Sequence, residues 1–255
     1  MPFTLVGVCH LLPLPAGPVA SAGFAAVRER ALHDAAVLAD AGFDALILEN
    51  YGDAPFPAGP VEPHVSAFVA ILAAEIKARH ALRVGINLLR NDAHAALGVA
   101  AASGADFIRV NVHTGAMLTD QGILQGAAHA TLRYRRELGA TVQIAADVLV
   151  KHAVPLAPQA IADVAQDTAR RGGAEILIVT GQGTGQKADP EKARAVVAAV
   201  PEAQVWVGSG VTEASVGAWT ETVHGAIVGT AIHEDSLITL PLSPARAASV
   251  RRAVR

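Results

Sequence analysis

The sequence predicts a single eightfold α/β barrel, a (β/α)8 or TIM-type fold, and three observations predict it. Eight short apolar runs, LVGVC, ALILE, RVGIN, FIRVN, QIAAD, ILIVT, VWVGS and AIVGT, recur along the chain with stretches of helical period between most of them, as a closed parallel sheet requires. Each run stops at a small or polar residue: His10, Glu49, Asn87, Asn111, Asp147, Thr180, Ser209 and Thr230. In such a barrel those strand ends converge on one mouth. A chain of 255 residues, 52% hydrophobic and 17% charged, has the usual length of one barrel and can bury a large core. Residues 1–255 are therefore read as one domain.

The elements follow in order. The first strand enters a Pro/Gly-rich loop, Leu11 to Gly23, and then a helix near Phe24 to Ala41 that Gly42 ends. The second strand runs into Asn50 to Pro63, too rich in prolines and glycines to be helical and hence a lid candidate. A helix near His64 to Arg79, the third strand, and a helix near Ala93 to Ala102 capped by Asn91 or Asp92 come next. The fourth strand leads into a long loop containing Asp120. Helices near Ala127 to Leu138 and Pro158 to Arg171 flank the fifth strand. After the sixth strand comes a glycine-rich loop, and Asp189 with Pro190 starts a helix ending near Val200. A short helix from Thr212, the eighth strand and a helix near Pro244 to Val254 complete the set. The phrases AGFDALILE, SGADFIRVN and RGGAEILIV form a weak internal repeat at the helix-to-strand turns.

Composition excludes several function classes. A net charge of -3 gives no general attraction to nucleic acid. Cys9 is the one cysteine, so neither an internal disulfide nor a cysteine cluster for zinc can form, and a reducing cytoplasm fits. Met1 to Val27 lacks Lys, Arg, Asp and Glu, but without a basic start, and with Pro13, Pro15 and Pro18 interrupting it, this segment reads as strand and loop rather than signal peptide. No membrane span is expected, because no other segment approaches 18 uninterrupted apolar residues. A homo-oligomer is compatible with the sequence.

The candidate chemistry divides into two groups. In VTGQGTGQ, Gly181 and Gly183 follow the sixth strand, where bare amides can approach an anion, though the spacing matches neither a Walker A nor a dinucleotide motif. VGSGVT and VGTAIHED end the seventh and eighth strands, the usual phosphate site of such barrels, and offer Gly208, Ser209, Gly210, Gly229 and Thr230. Acidic and basic groups gather at the other mouths: His10, Glu49, Asn50, Asp53, Asn87, Arg90, Asp92, Asn111, Asp120, Asp147, Lys151 and His152. Asp147 ends a buried strand, where a carboxylate is costly unless paired or used, and is the expected general acid/base with Lys151 as its electrostatic partner. Glu49 and Asn87 would orient hydroxyls. Glu49, Asp92 and Asp147 are also the candidate ligands of a divalent metal. Asp92 has a competing role as a helix cap and Lys151 as a simple ion-pair partner, while Arg90 and Arg109 are candidate anion clamps, against which Arg109, inside the fourth strand, has a competing role as a partner of a neighbouring barrel element. At His10 the H-x-H of metal-dependent hydrolase barrels is missing, which leaves a hydrogen-bonded mouth histidine.

GVCHLLPLP, LILENYGDAPF, VGINLLRNDAHAAL, FIRVNVHTGAMLTDQGI and ADVLVKHAVPL together resemble the BtpA family, over nearly the whole chain. The resemblance implies a barrel similar to the ribulose-phosphate-binding barrels and marks the mouth residues above, Asn91 among them. It also implies links to photosystem I biogenesis and, for some members, a nucleoside triphosphatase label, without naming a reaction. It implies an apolar residue at the place of His113, which sets that histidine apart. Three functions follow as expectations: an enzyme acting on a small phosphorylated molecule, a metal-dependent phosphate-ester hydrolase, or a noncatalytic assembly factor.

Overall fold

A computed structural model describes residues 2–181 and 187–254. In chain order the elements are β1 (Thr4–His10), α1 (Phe24–Asp40), β2 (Ala45–Glu49), α2 (Pro63–Arg79), β3 (Arg83–Asn87), α3 (Ala93–Ser103) and β4 (Phe107–Val110). Then come β5 (Ala116–Thr119), β6 (Gly122–Gln125), α4 (Ala128–Glu137), β7 (Gln143–Val148), β8 (Val154–Pro155) and α5 (Ile161–Gln166), which runs into a π turn, Asp167–Arg171. The last are β9 (Ile176–Val179), α6 (Pro190–Ala199), β10 (Gln204–Val207), α7 (Glu213–Val216), β11 (Gly225–Val228) and α8 (Pro244–Ala253). Strands β1, β2, β3, β4, β7, β9, β10 and β11 close a parallel barrel in which chain neighbours pair and β1 meets β11. The C-terminal end of α1 and both ends of α3 match their signals: Gly42 and Gly104 take the left-handed φ (79° and 72°) that ends a helix, and Asp92 Oδ1 accepts from Ala95 N at 2.9 Å.

The excursion after β4 departs from the sequence reading. The segment read as a long loop is a hairpin, β5 and β6, joined by β8 into an antiparallel sheet of order β6-β5-β8. Met117 faces Leu124 on its buried side, packed with Val112 and Val150. Leu118, Ile123 and Val154 lie on its exposed side. Strands of two to four residues are too short to show a period. Recruitment of Val154 and Pro155 into this sheet also delays α5, which begins at Ile161 rather than Pro158.

Two apolar layers hold the barrel. Helix faces pack on its outside, while Val6, Val8, Ala45, Ile47, Phe107, Ala145, Ile176, Ile178, Trp206 and Ile227 fill its inside. Phe107 and Trp206 meet edge to face at 5.6 Å between ring centres. Gly85 and Gly225 make room for them. A Cβ on Gly85 would lie 2.3 Å from the Phe107 ring, and one on Gly225 would lie 2.8 Å from Trp206.

The internal repeat has a structural meaning at the barrel floor. Asp44, Asp106 and Glu175, the acids of the three repeated phrases, stand just before β2, β4 and β9, the second, fourth and sixth strands around the barrel, and accept from the backbone N–H of the barrel strand before: Leu5 at 2.8 Å, Val84 at 2.7 Å and Ile144 at 2.8 Å. His224 does the same for Val205 with its Nδ1, at 2.9 Å. Each also exchanges the reciprocal backbone bond, from Asp44 N to Leu5 O, Asp106 N to Val84 O, Glu175 N to Ile144 O and His224 N to Val205 O. The barrel is thus four strand pairs fastened by one repeated device. Asp106 also binds Lys77 at 2.9 Å. Asp106→Ala is therefore expected to cost about 1–3 kcal/mol of stability in urea unfolding, because a strand N–H loses its acceptor. A cost below roughly 0.5 kcal/mol, within the range of ordinary surface changes, would show that the device carries no stability.

Candidate active site at the barrel mouth

Strand alternation decides which side chains reach the mouth. Two residues beyond the last inward-facing apolar positions stand His10 above Val8, Glu49 above Ile47, Arg109 above Phe107, Asp147 above Ala145, Thr180 above Ile178, Gly208 above Trp206 and Gly229 above Ile227. The run endings Ser209 and Thr230 therefore sit one residue past the inward positions, which are glycines. One cavity of about 260 Å³ opens here. His10, Glu49, Arg109 and Lys151 line one side, and Gly208, Ser209, Gly210, Thr212, Gly229 and Thr230 the other. A second space of about 440 Å³ shares Glu49, Tyr51, Arg109 and Lys151, and adds Arg90, Asn111, Asp120 and His152.

An ion pair underlies the first cavity. Arg109 grips Asp147 with two bonds, Nε to Oδ1 at 3.1 Å and Nη2 to Oδ2 at 3.0 Å, and Asn111 Nδ2 adds a third at 3.2 Å. Arg109 Nη1 lies 3.8 Å from Glu49 Oε2. Burial works against the Arg109 charge, but Asp147 and then Glu49 outweigh it and raise its pKa. Lys151 is pushed down by burial first and by the Arg109 charge second. Burial also pushes His10 down to about 3, aided by His233 and by the cations Lys151, Arg30 and Arg109. His152 is lowered by burial and by Lys151.

Not every expected residue joins this cavity. Asp147 does not line it, because both of its oxygens are taken up by Arg109 and Asn111. Asn87 is buried beneath, donating to Arg109 O and Asn111 Oδ1, both at 3.1 Å. Asn50 and Asp53 tie loops together: Asn50 Oδ1 accepts from Leu89 N, and Asp53 accepts from Leu14 N and Asn50 Nδ2. Arg90 donates to Lys151 O, and Thr180 Oγ1 accepts from Lys151 N. Asp120 stands in the hairpin turn at the edge of the second space. Gly181 follows β9 outside the cavity lining, and Gly183 lies outside the described residues.

The metal reading does not fit this geometry. Asp92 spends one oxygen as the α3 cap and the other on Val61 N, and Asp147 is held by Arg109. Among the described residues no three His, Cys, Asp or Glu side chains gather as a metal site. His113 is buried, its Nε2 donating to Gly172 O at 2.8 Å, which fastens the π turn after α5 rather than the mouth.

Arg109, expected as the partner of a neighbouring barrel element, shares the inward face of β4 with Phe107 and pairs with Asp147 on β7. Two contributors carry no signal in the sequence. Tyr51 presents its ring edge to His10 at 5.4 Å between centres. His233 had no signal, because it reaches His10 only when the chain folds back after β11.

Comparison with known proteins agrees with the fold. The chain is 42% identical over 242 residues, 95% of its length and 84% of the relative's, to the photosystem I biogenesis protein BtpA of Synechocystis. It is 41% identical to an uncharacterized protein of Pyrococcus horikoshii, over 98% of this chain and 95% of that one. Among solved structures it resembles a phosphoribosyl anthranilate isomerase of Thermus thermophilus, with a TM-score of 0.60 and 12% identity over 98% of both chains, which is a likeness of fold. No helix among the described residues is long and apolar enough to cross a membrane. With the family model matching residues 2–255, the chain belongs to the BtpA family.

Proposed function

We propose that this protein is an enzyme acting on a small phosphorylated ligand, a sugar phosphate or nucleotide-like molecule. Its phosphate would lie against Gly208, Ser209, Gly210, Gly229 and Thr230, and its reactive end against His10, Glu49 and Lys151. The observation that carries this reading is Ser209. It lines the cavity at φ 68°, a conformation that non-glycine residues disfavour, and its buried hydroxyl has no partner among the described residues. A phosphate oxygen is the acceptor such a hydroxyl lacks. Lys151 and Arg109 supply positive charge across the same space, and an anion there offsets the burial that lowers the Lys151 pKa. His10 and Glu49 would move a proton at the other end of the ligand, with Asp147 holding Arg109 in place. Isomerase, lyase and hydrolase reactions all draw on this arrangement.

Thermal-shift measurements with inorganic phosphate, ribose 5-phosphate and a nucleoside monophosphate test the reading. A ligand at a hundred times its Kd should stabilise the native state by about 2.7 kcal/mol. In Gly208→Val the new Cβ meets Thr180, Ile178 and Ile227 no closer than 3.5 Å, while its methyl groups enter the cavity. That variant should melt within a few degrees of the wild type and lose the shift. If none of the three probes raises the melting temperature, the phosphate site is rejected. The name of the Synechocystis relative favours a second reading, a noncatalytic assembly factor. Under it, His10→Asn should leave the biological role intact, whereas the enzyme reading expects its loss.

A further inference from the structure

We infer that His233 locks His10 in the tautomer protonated at Nδ1, leaving the His10 Nε2 lone pair turned to the cavity as the proton acceptor of the site. The inference deepens the proposed function but rests on it only for the use of that base, not for the geometry.

The argument begins behind the barrel. His233 is fully buried, its Nδ1 is 2.7 Å from the Leu240 carbonyl oxygen, and its Nε2 is 2.9 Å from His10 Nδ1. A carbonyl oxygen can only accept, so His233 Nδ1 carries the proton and donates it. Arg30 Nη2 is also 3.5 Å from His233 Nδ1, which would favour the reverse assignment if Nδ1 were bare. That would set the Nδ1 lone pair against the carbonyl lone pairs at 2.7 Å, and Arg30 Nη2 already donates to the same carbonyl. The neutral His233 therefore keeps a bare Nε2. The contact between the two rings holds one proton, and it must come from His10 Nδ1.

The segment that presents His233 is held firmly. Arg30 on α1 binds Asp34 at 2.9 Å and the Thr239 carbonyl at 3.2 Å, and Asp34 accepts from Leu242 N at 2.9 Å. His233 itself bridges Leu242 as an antiparallel pair. The tautomer is thus set by a chain of bonds running from a barrel helix, through a returning strap, to the first strand.

On the cavity side, His10 Nε2 is 4.0 Å from Glu49 Oε1, too far for a hydrogen bond and close enough for a ligand proton to lie between them. A Cβ on Gly229 would stand 3.0 Å from His10 Cε1 and 3.5 Å from Nε2, so the glycine keeps that ring edge clear. When a ligand O–H or C–H bond breaks, its electron pair stays on the ligand and its proton passes to His10 Nε2. The resulting imidazolium faces the Glu49 carboxylate. His10 would touch the ligand and is the catalytic residue, while His233 acts through it and is a positioning residue.

Nitrogen NMR of protein carrying ¹⁵N-labelled histidine tests this without any ligand, so its failure is separate from failure of the phosphate site. His10→Asn identifies the His10 signals, and the expected pattern is Nδ1 protonated and Nε2 bare for both His10 and His233 at neutral pH. A proton on His10 Nε2 overturns the inference. His233→Gln, whose amide oxygen can stand where Nε2 was, should keep the His10 pattern. His233→Leu removes that acceptor, and the His10 signals should shift to a mixture with the Nε2-protonated form. If His233→Leu folds and His10 stays wholly Nδ1-protonated, the positioning role is overturned. If it does not fold, the wild-type and His233→Gln spectra decide.

Discussion

Arg109→Met is expected to destabilise the protein by roughly 3–5 kcal/mol, the cost of breaking a buried ion pair from one side. Asp147 has no exposed side-chain surface, and Arg109 only 7%. Without the guanidinium, the Asp147 carboxylate keeps one amide donor, Asn111 Nδ2 at 3.2 Å, in a space closed to water. Asp147→Asn should cost less, because Arg109 retains Glu49 at 3.8 Å and borders the cavity. Combining the two changes removes both charges, so the double variant should be more stable than the sum of the single costs implies. Urea unfolding of the four proteins measures this. A cost under roughly 1 kcal/mol for Arg109→Met, the range of exposed pairs, would mean that water reaches the pair.

The barrel was legible because eight short apolar runs with helical stretches between most of them fit a parallel sheet buried on both faces, and the strand ends pointed to the mouth. What happens at those ends was less legible. At β10 and β11 the inward positions are Gly208 and Gly229, and the sequence offers them together with Ser209, Gly210 and Thr230 without telling which of the five face inward. Asp147 was recognised as a carboxylate that must be paired or used, and the structure pairs it. Its partner sits across the β4 to β7 seam, where the pairing sets Arg109 beside Ala145 and the hairpin intervenes in sequence. Asp92 illustrates the opposite case, since its cap role was local and readable. His233 depends on a return of the chain after β11 that no local pattern encodes. The floor repeat is visible as three phrases, whereas its fourth member uses His224 in place of an acid and breaks the phrase.

The second large effect concerns acid stability. His10 titrates at 6.5 in an unfolded chain but near 3 in the fold. Between those values the unfolded state binds a proton that the native state refuses, so stability is fully present above 6.5 and declines as pH falls toward 3. The slope from one such group is roughly 1.4 kcal/mol per pH unit. Burial is the leading cause, and the facing groups His233, Lys151, Arg30 and Arg109 all oppose the charge, with Glu49 at 4.0 Å against them. His233 and His113 are lowered in the same direction, so the wild-type slope alone would not isolate His10. His10→Asn does so, because asparagine places a donor near the Nδ1 position and cannot titrate. Its stability should fall less steeply, gaining on the wild type by about 1.4 kcal/mol for each pH unit between 6 and 5 in urea unfolding. Parallel lines for the two proteins would mean that His10 takes its proton in the fold as readily as in water.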